Sequence, residues 1–156
     1  MLSAQENSPA DNKRPVNCIS IGLLGDGANV SLNYERVIFL KKFCFISGKI
    51  GAGYGKELTR TGPDEPQPPV YLSLPLEVTA NLGSRRHFIA AGIGNTVTIG
   101  NVSPHYLLYG KIGYRFLPLT KSNISISAFV DIFINKGAEF RNLYFVPFGM
   151  GLGYTF

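Results

Sequence analysis

Apolar and polar residues alternate one by one along most of the chain after residue 16. The clearest stretch is residues 70–82, where the even positions are apolar and the odd positions are mostly polar. A period of two puts the apolar side chains on one face of an extended strand and the polar ones on the other. Residues 146–156 repeat the pattern. Both segments predict strands that reach the length needed to cross a membrane, about 9–11 residues.

Weaker alternation predicts six further strands, and no ten-residue window has the 3.6-residue period of a helix. The predicted strands cover residues 17–24, 28–36, 43–54, 70–82, 87–97, 106–116, 124–133 and 146–156. We therefore expect an all-β protein, a closed antiparallel up-and-down transmembrane β-barrel of about eight strands, over residues 16–156. Residues 1–15 are expected to be a signal-peptide remnant followed by a disordered periplasmic lead.

The lengths of the predicted connections indicate an orientation. Those after strands two, four and six are short, at residues 37–42, 83–86 and 117–123, whereas residues 55–69 form the longest. Outer-membrane barrels have short periplasmic turns and longer outside loops, so both termini are expected in the periplasm. Residues 25–27 then form a tight outside hairpin turn.

Alternation alone does not say which face of the barrel points inward. Hydrophobic residues make up 45% of the chain, charged residues only 16%, and the mean hydropathy is +0.10. A soluble ligand-carrying barrel encloses its apolar face, whereas a membrane barrel turns that face toward lipid. The polar face is rich in Gly, Ser and Asn with few charges, which favours a narrow lumen and therefore the membrane barrel.

The polar face carries six charged residues that we expect to form a lumen network: Glu35, Lys49, Glu77, Lys111, Arg115 and Asp131. Lys111 and Asp131 lie on adjacent predicted strands, as do Lys49 and Glu77, and Glu35 and Arg115 both lie near the periplasmic rim. An eight-stranded lumen is just wide enough for side chains to fill it. A salt-bridged plug is therefore favoured over a gated ion path, because an unpaired buried ion is costly.

Outward aromatic residues collect toward the predicted strand ends, which is typical of the interfacial girdles of membrane barrels. The predicted girdle consists of Tyr34, Tyr114, Phe116, Tyr154 and Phe156 at one rim and Tyr54 and Tyr106 toward the other. Pro75 interrupts the fourth strand, and a β-bulge is expected there because proline removes a ladder hydrogen bond.

Several short segments resemble the small outer-membrane β-barrel proteins common in Bacteroidetes. These are the segments SLNYER at 31–36, LPLE at 74–77, IGYR at 112–115 and GLGYTF at 151–156. The resemblance covers about residues 16–156 and implies fold and location, with no specific activity. A final strand that ends on Phe156 also resembles the signal read by the barrel-assembly machinery, which implies that machinery as a partner during insertion.

Other classes of function have little support in the sequence. The net charge of +5 comes from scattered basic residues, so no nucleic-acid site is expected. Cys18 and Cys44 are predicted on opposite faces, which disfavours a disulfide, and no His or Cys pair completes a metal site. No cofactor is expected. Ser103 and His105 are the best candidates for catalysis, but a nucleophile needs an oriented base that the sequence does not show.

The combined expectation is a monomeric outer-membrane barrel, in contact with outer-membrane lipids, with a plugged polar lumen and no catalysis. Its role is structural, or it binds an extracellular ligand through the loops at 55–69 and 134–143. A narrow channel or small-solute transporter is the alternative. A lipid-modifying barrel enzyme comes third, and a soluble carrier last.

Overall fold

A computed structural model of the chain describes residues 16–40, 43–56, 70–100, 105–117, 123–134 and 147–156. These residues form eight strands: β1 (Asn17–Leu23), β2 (Val30–Leu40), β3 (Cys44–Lys56), β4 (Val70–Ser84), β5 (His87–Gly100), β6 (Tyr106–Phe116), β7 (Ile124–Phe133) and β8 (Phe148–Thr155). The predicted bounds of β6 and β7 are confirmed, and those of the other strands are shifted by a few residues.

Each strand pairs antiparallel with its neighbour in sequence, and β8 pairs with β1 to close the barrel. The predicted all-β, closed, eight-stranded, up-and-down architecture is therefore confirmed. At the seam, the Asn17 amide donates to the Phe156 carbonyl at 3.1 Å, and the Phe156 amide donates back to Asn17 at 3.0 Å. We call the end of the barrel with these residues the terminal end, and the opposite end the loop end.

The turn predicted at residues 37–42 is partly wrong, because β2 continues to Leu40. Its pairing with β3 shifts register between Val37 and Phe39. The sequence from residue 37 to 40 is an unbroken apolar run, so it shows no alternation from which a strand could be predicted. A β-bulge accounts for both observations. The extra residue exchanges the inward and outward positions beyond it, while the strand continues.

The bulge predicted at Pro75 is wrong. Pairing between β3 and β4 stops after Ile50–Leu76 and resumes at Gly53–Ser73 in the same register. On its other side, Pro75 pairs with Thr96 of β5 in a regular ladder. The barrel therefore accepts the missing N–H as a short gap in one ladder, without adding a residue to either strand.

The two faces of the strands are separated as the alternation indicates. Along β4 and β5 the outward side chains are large and apolar, such as Leu76 at 50% and Ile89 at 65% exposure. The inward side chains are mostly polar and buried, as in Ser31 and Asn33 of β2 and Thr96 and Thr98 of β5. The barrel is thus apolar outside and polar inside. Among the described residues, no helix is long and apolar enough to cross a membrane.

Candidate functional site: the charged interior

Among the described residues, seven charged side chains lie inside the barrel. The six predicted from strand parity are all on inward positions, namely Glu35, Lys49, Glu77, Lys111, Arg115 and Asp131, and Asp26 joins them from the connection between β1 and β2. Alternation fixes the inward direction of the first six, because each shares its face with buried Ser, Thr or Gly neighbours. With Asp26 included, four acidic groups face three basic ones.

The central cluster consists of Asp26, Lys49, Glu77, Lys111 and Asp131. The Lys49 ammonium lies 2.8 Å from an oxygen of Asp26 and 2.8 Å from one of Glu77. The Lys111 ammonium also contacts Asp26, lies 2.6 Å from Glu77, and is 3.7 Å from Asp131. Two carboxylates therefore bridge two ammonium groups, and each buried charge has an opposite charge within reach, as a low-dielectric interior requires.

Asp26 reaches this cluster because its turn folds into the lumen. The tight hairpin turn predicted at residues 25–27 is present, with the Ala28 amide donating to the Gly25 carbonyl at 2.9 Å, but it was not expected to point into the barrel. Four consecutive residues, 24–27, have positive φ, two of which are the glycines that tolerate it. The Asp26 amide donates to Asp131 Oδ2 at 2.8 Å, and the Thr96 hydroxyl donates to the Asp26 carbonyl at 2.7 Å. Only 2% of Asp26 is exposed. The turn therefore plugs the loop end of the lumen.

An aromatic ring lies against the ammonium groups of the central cluster. The Lys111 nitrogen is 3.7 Å from the centroid of the Phe129 ring, and the Lys49 nitrogen is 5.7 Å from it. A cation over an aromatic face is attracted by the quadrupole of the ring, more strongly when water is excluded. Phe129 therefore offsets part of the dehydration cost of the two lysines.

Glu35 and Arg115 form a separate pair nearer the terminal end. The two guanidinium nitrogens of Arg115 donate to the two carboxylate oxygens of Glu35, each at 2.5 Å. This parallel arrangement is the strongest geometry available to a carboxylate and an arginine. Because β2 and β6 are not neighbours in the barrel, the pair spans the lumen and ties two opposite walls together.

Two small cavities flank the Glu35–Arg115 pair. One, of about 40 Å³, lies between the pair and the central cluster, and the other, of about 20 Å³, lies toward the terminal end. Glu35 and Arg115 line both cavities. Volumes of this size hold a few water molecules at most. Among the described residues, the interior is thus a salt-bridged polar core with separated spaces of water size.

Aromatic side chains occupy further parts of the lumen, beside small polar ones. Phe45 and Phe88 meet edge to face near the terminal end, with centroids 5.1 Å apart. Tyr71 lies over Gly55 and Tyr109 over Gly94, each tyrosine covering the glycine that it pairs with on the next strand. Side chains thus fill most of the interior, as the width of an eight-stranded barrel allows.

The structure places the predicted girdle residues on the outer surface. Tyr34, Tyr54, Tyr106, Tyr114, Tyr154 and Phe156 are exposed, and Phe116 is partly covered by the ring of His87. The Tyr34 hydroxyl donates to the Asn17 side chain at 2.8 Å, and the Tyr154 hydroxyl accepts from Asn123 at 2.8 Å. The polar tips of these two tyrosines are therefore held by asparagines at the terminal end of the barrel.

Both cysteines are free. Cys18 faces the lumen, with its sulfur 3.4 Å from the Ser125 hydroxyl, and Cys44 pairs in register with the outward Leu82. The described residues hold no group of three His, Cys, Asp or Glu that could bind a metal. His87 lies at the terminal end and His105 at the loop end. Ser103, the region 1–15 and most of the two long loops lie outside the described residues.

Comparison of the chain with protein-family models, with curated proteins and with solved structures found no match.

Proposed function

We propose that the chain is an integral outer-membrane barrel with a plugged polar lumen, and that its role is structural or consists of binding through its loops. The observation that carries the proposal is the inverted distribution of polarity. Large apolar side chains are exposed on all eight strands, whereas paired charges lie inside. Soluble monomers rarely expose a contiguous apolar patch larger than a few hundred Å².

The interior argues against a soluble ligand carrier. Such a barrel encloses an apolar cavity, and cavities for small ligands measure about 300–1,000 Å³. Here the lumen holds ion pairs and the larger of the two cavities is about 40 Å³. Outer-membrane lipids are therefore the expected partners of the outer face, and an extracellular ligand would meet the loop end. We expect a monomer without catalytic activity.

Paired arginine substitutions on β4 test the membrane assignment. Leu76 lies near the middle of the strand and Val70 begins it, and their side chains are equally exposed at 50% and 49%. An arginine on the lipid face costs about 2–4 kcal/mol at the bilayer midplane and about 0–1 kcal/mol near the interface. In phospholipid vesicles, Leu76→Arg should therefore lower the free energy of unfolding by about 3 kcal/mol and Val70→Arg by less than about 1 kcal/mol.

The measurement is a denaturant titration of each refolded variant, with heat-modifiable gel migration as the sign of a folded barrel. Equal effects at the two positions would contradict the proposal, because exposure to water is the same at both. Recovery of folded wild type from cells without detergent would contradict it too.

One observation favours a narrow channel as the second candidate. The Glu35–Arg115 pair lines both cavities, so separation of this pair would widen the space between them. The plugged barrel is preferred because the inward turn closes the loop end and the Phe45–Phe88 pair narrows the lumen near the terminal end.

A further inference from the structure

The charges of the described residues are sorted between the inside and the outside of the barrel. All four acidic residues, Asp26, Glu35, Glu77 and Asp131, are buried in the lumen. The exposed charged residues are all basic: Arg36, Lys56, Arg85 and Arg86. The outer surface of this part of the chain is thus positive without compensation, although the interior is rich in carboxylates.

The positive charge is densest in the two-residue turn between β4 and β5, at the terminal end. Ser84 and His87 form the last pair of the ladder, so Arg85 and Arg86 are the two turn residues, and both are exposed. Neither guanidinium has a described carboxylate within salt-bridge distance, since the described carboxylates are inside. We call this pair of residues the arginine turn.

Both neighbouring strands hold the arginine turn in place. The Leu117 amide, just after β6, donates to the Arg86 carbonyl at 2.8 Å. On the other side, the Gly83 amide donates to the Phe43 carbonyl at 2.9 Å. The two guanidinium groups are therefore carried by a fixed backbone.

The backbone conformation of the arginine turn suits glycine better than arginine. Arg85 has a φ of 56°, whereas Arg86 does not have positive φ. A two-residue hairpin turn with positive φ only at its first central residue has the type II′ pattern, which favours glycine there. Strain kept at an exposed position points to a role for the side chain rather than for the fold.

We propose that the arginine turn binds the phosphate of anionic phospholipid headgroups in the leaflet at the terminal end of the barrel. The guanidinium fork matches phosphate oxygens in pairs. The turn borders strongly apolar outward residues, Leu82 at 63% and Ile89 at 65% exposure. It also adjoins the aromatic side chains of Tyr114 and Phe116 through His87, whose ring nitrogen lies 2.5 Å from the Tyr114 hydroxyl. Aromatic rings of this kind mark the headgroup level of a bilayer.

Phospholipid is favoured over a soluble polyanion because apolar surface flanks the positive charge, as a headgroup with its acyl chains requires. In the sequence, the other two connections at this end have the same sign, with Lys41, Lys42 and Lys121 and no acidic residue. The inference rests on the proposed function, because it requires an inserted barrel.

The test compares wild type with an Arg85→Gly/Arg86→Ser double variant in vesicles of four parts phosphatidylcholine and one part phosphatidylglycerol. Electron paramagnetic resonance of spin-labelled lipids gives the relative association of each lipid with the barrel. Wild type should prefer phosphatidylglycerol about fivefold, from the attraction of basic residues near an anionic surface. The preference should fall to about one in wild type at 1 M NaCl, where the Debye length is about 3 Å. In the double variant it should fall to about half of the wild-type value or less, because the lysines of the other two connections remain. Lys56→Ser, at the loop end, is the matched control and should keep the preference.

The double variant should fold at least as well as wild type, because glycine relieves the strain at residue 85. A denaturation midpoint that is no lower, combined with a reduced lipid preference, separates lipid binding from a structural role. Wild type that inserts without preferring phosphatidylglycerol would overturn the inference while leaving the proposed function intact. So would a preference that is as strong in the double variant as in wild type, or binding of soluble polyglutamate in place of lipid. Failure of wild type to insert would instead overturn the proposed function.

Discussion

At the scale of single residues, the two aspartates of the central cluster have different tasks. Asp26 accepts from both lysines, with Lys49 at 2.8 Å, and therefore holds the inward turn against the wall of the barrel. Asp131 uses one oxygen to accept the Asp26 amide, while its other oxygen lies 3.7 Å from Lys111 and has no hydrogen-bond partner in the described structure. The cluster has three carboxylates for two ammonium groups. Asp131 is the carboxylate with the weakest contact to an ammonium group.

Asparagine substitutions of these two residues should therefore differ. Asp26→Asn removes charged hydrogen bonds from both lysines and should lower the free energy of unfolding by about 2 kcal/mol. Asp131→Asn keeps an acceptor for the Asp26 amide and removes the surplus charge, so it should cost less than about 1 kcal/mol. Urea titration of the refolded variants in micelles measures both values, and a larger loss for Asp131→Asn would show that this assignment of roles is wrong.

The charged interior could be predicted from the sequence only where strand parity applies. Glu35, Lys49 and Glu77 each lie on the polar face of an alternating segment, so their inward direction follows from counting. Asp26 lies in a turn, where alternation assigns no face. Its contacts with Asp131 and Thr96 join residues far apart in sequence, which no local pattern indicates. The bidentate geometry of the Glu35–Arg115 pair likewise depends on the closure of the barrel.

At the scale of strands, tyrosine residues paired with glycines on the neighbouring strand fill part of the lumen without widening the barrel. Tyr109 is fully buried and lies across Gly94, its partner on the neighbouring strand. A Cβ atom at Gly94 would overlap the tyrosine ring. Glycine at this position allows the ring to lie flat against the wall, which leaves the middle of the lumen to the charged residues.

Gly94→Ala should therefore destabilise the barrel, whereas Gly110→Ala should not. Overpacking a well-filled interior costs about 1–3 kcal/mol, and we expect about 2 kcal/mol at Gly94. A Cβ at Gly110 would meet its nearest atom at 3.9 Å, so alanine there should change the free energy of unfolding by less than about 0.5 kcal/mol, or raise it slightly. Denaturant midpoints of the two variants decide the matter, and equal midpoints would show that the Tyr109 ring can move aside freely.

The predicted bounds of β6 and β7 match the structure although their alternation is weaker than that of β4, which continues two residues past its predicted end to Ser84. The prediction failed at the end of β2, where an apolar run hides the period and a bulge carries the strand on to Leu40. It also failed at Pro75, because the loss of one N–H was expected to force a bulge. The remaining pairs on both sides of β4 instead keep their register, since the bonds beyond the gap hold the strands in place.

At the scale of the whole molecule, the barrel is narrowed at two levels and tied across its middle. The inward turn at residues 24–29 occupies the loop end, and Phe45 packs on Phe88 near the terminal end. Between them, Glu35–Arg115 joins opposite walls. These contacts lie at successive levels, so a continuous path would have to pass all three, and each is made by buried or half-buried groups. These interior contacts therefore stabilise the closed barrel. The closed barrel in turn keeps the apolar side chains of all eight strands on its outer face.

Planar-bilayer recordings of purified, refolded protein provide the corresponding prediction. Neither wild type nor Lys111→Ala should show steady single-channel steps, because Lys111→Ala leaves both the Phe45–Phe88 contact and the Glu35–Arg115 pair in place. Heat-modifiable gel migration must show that both proteins are folded barrels. An absence of conductance then cannot be caused by misfolding. Steady conductance that rises in Lys111→Ala would mean that the central cluster is a gate. In that case water-sized cavities such as the one of about 40 Å³ would form part of an ion path. Ion conduction would then replace the plugged barrel as the proposed function of the chain.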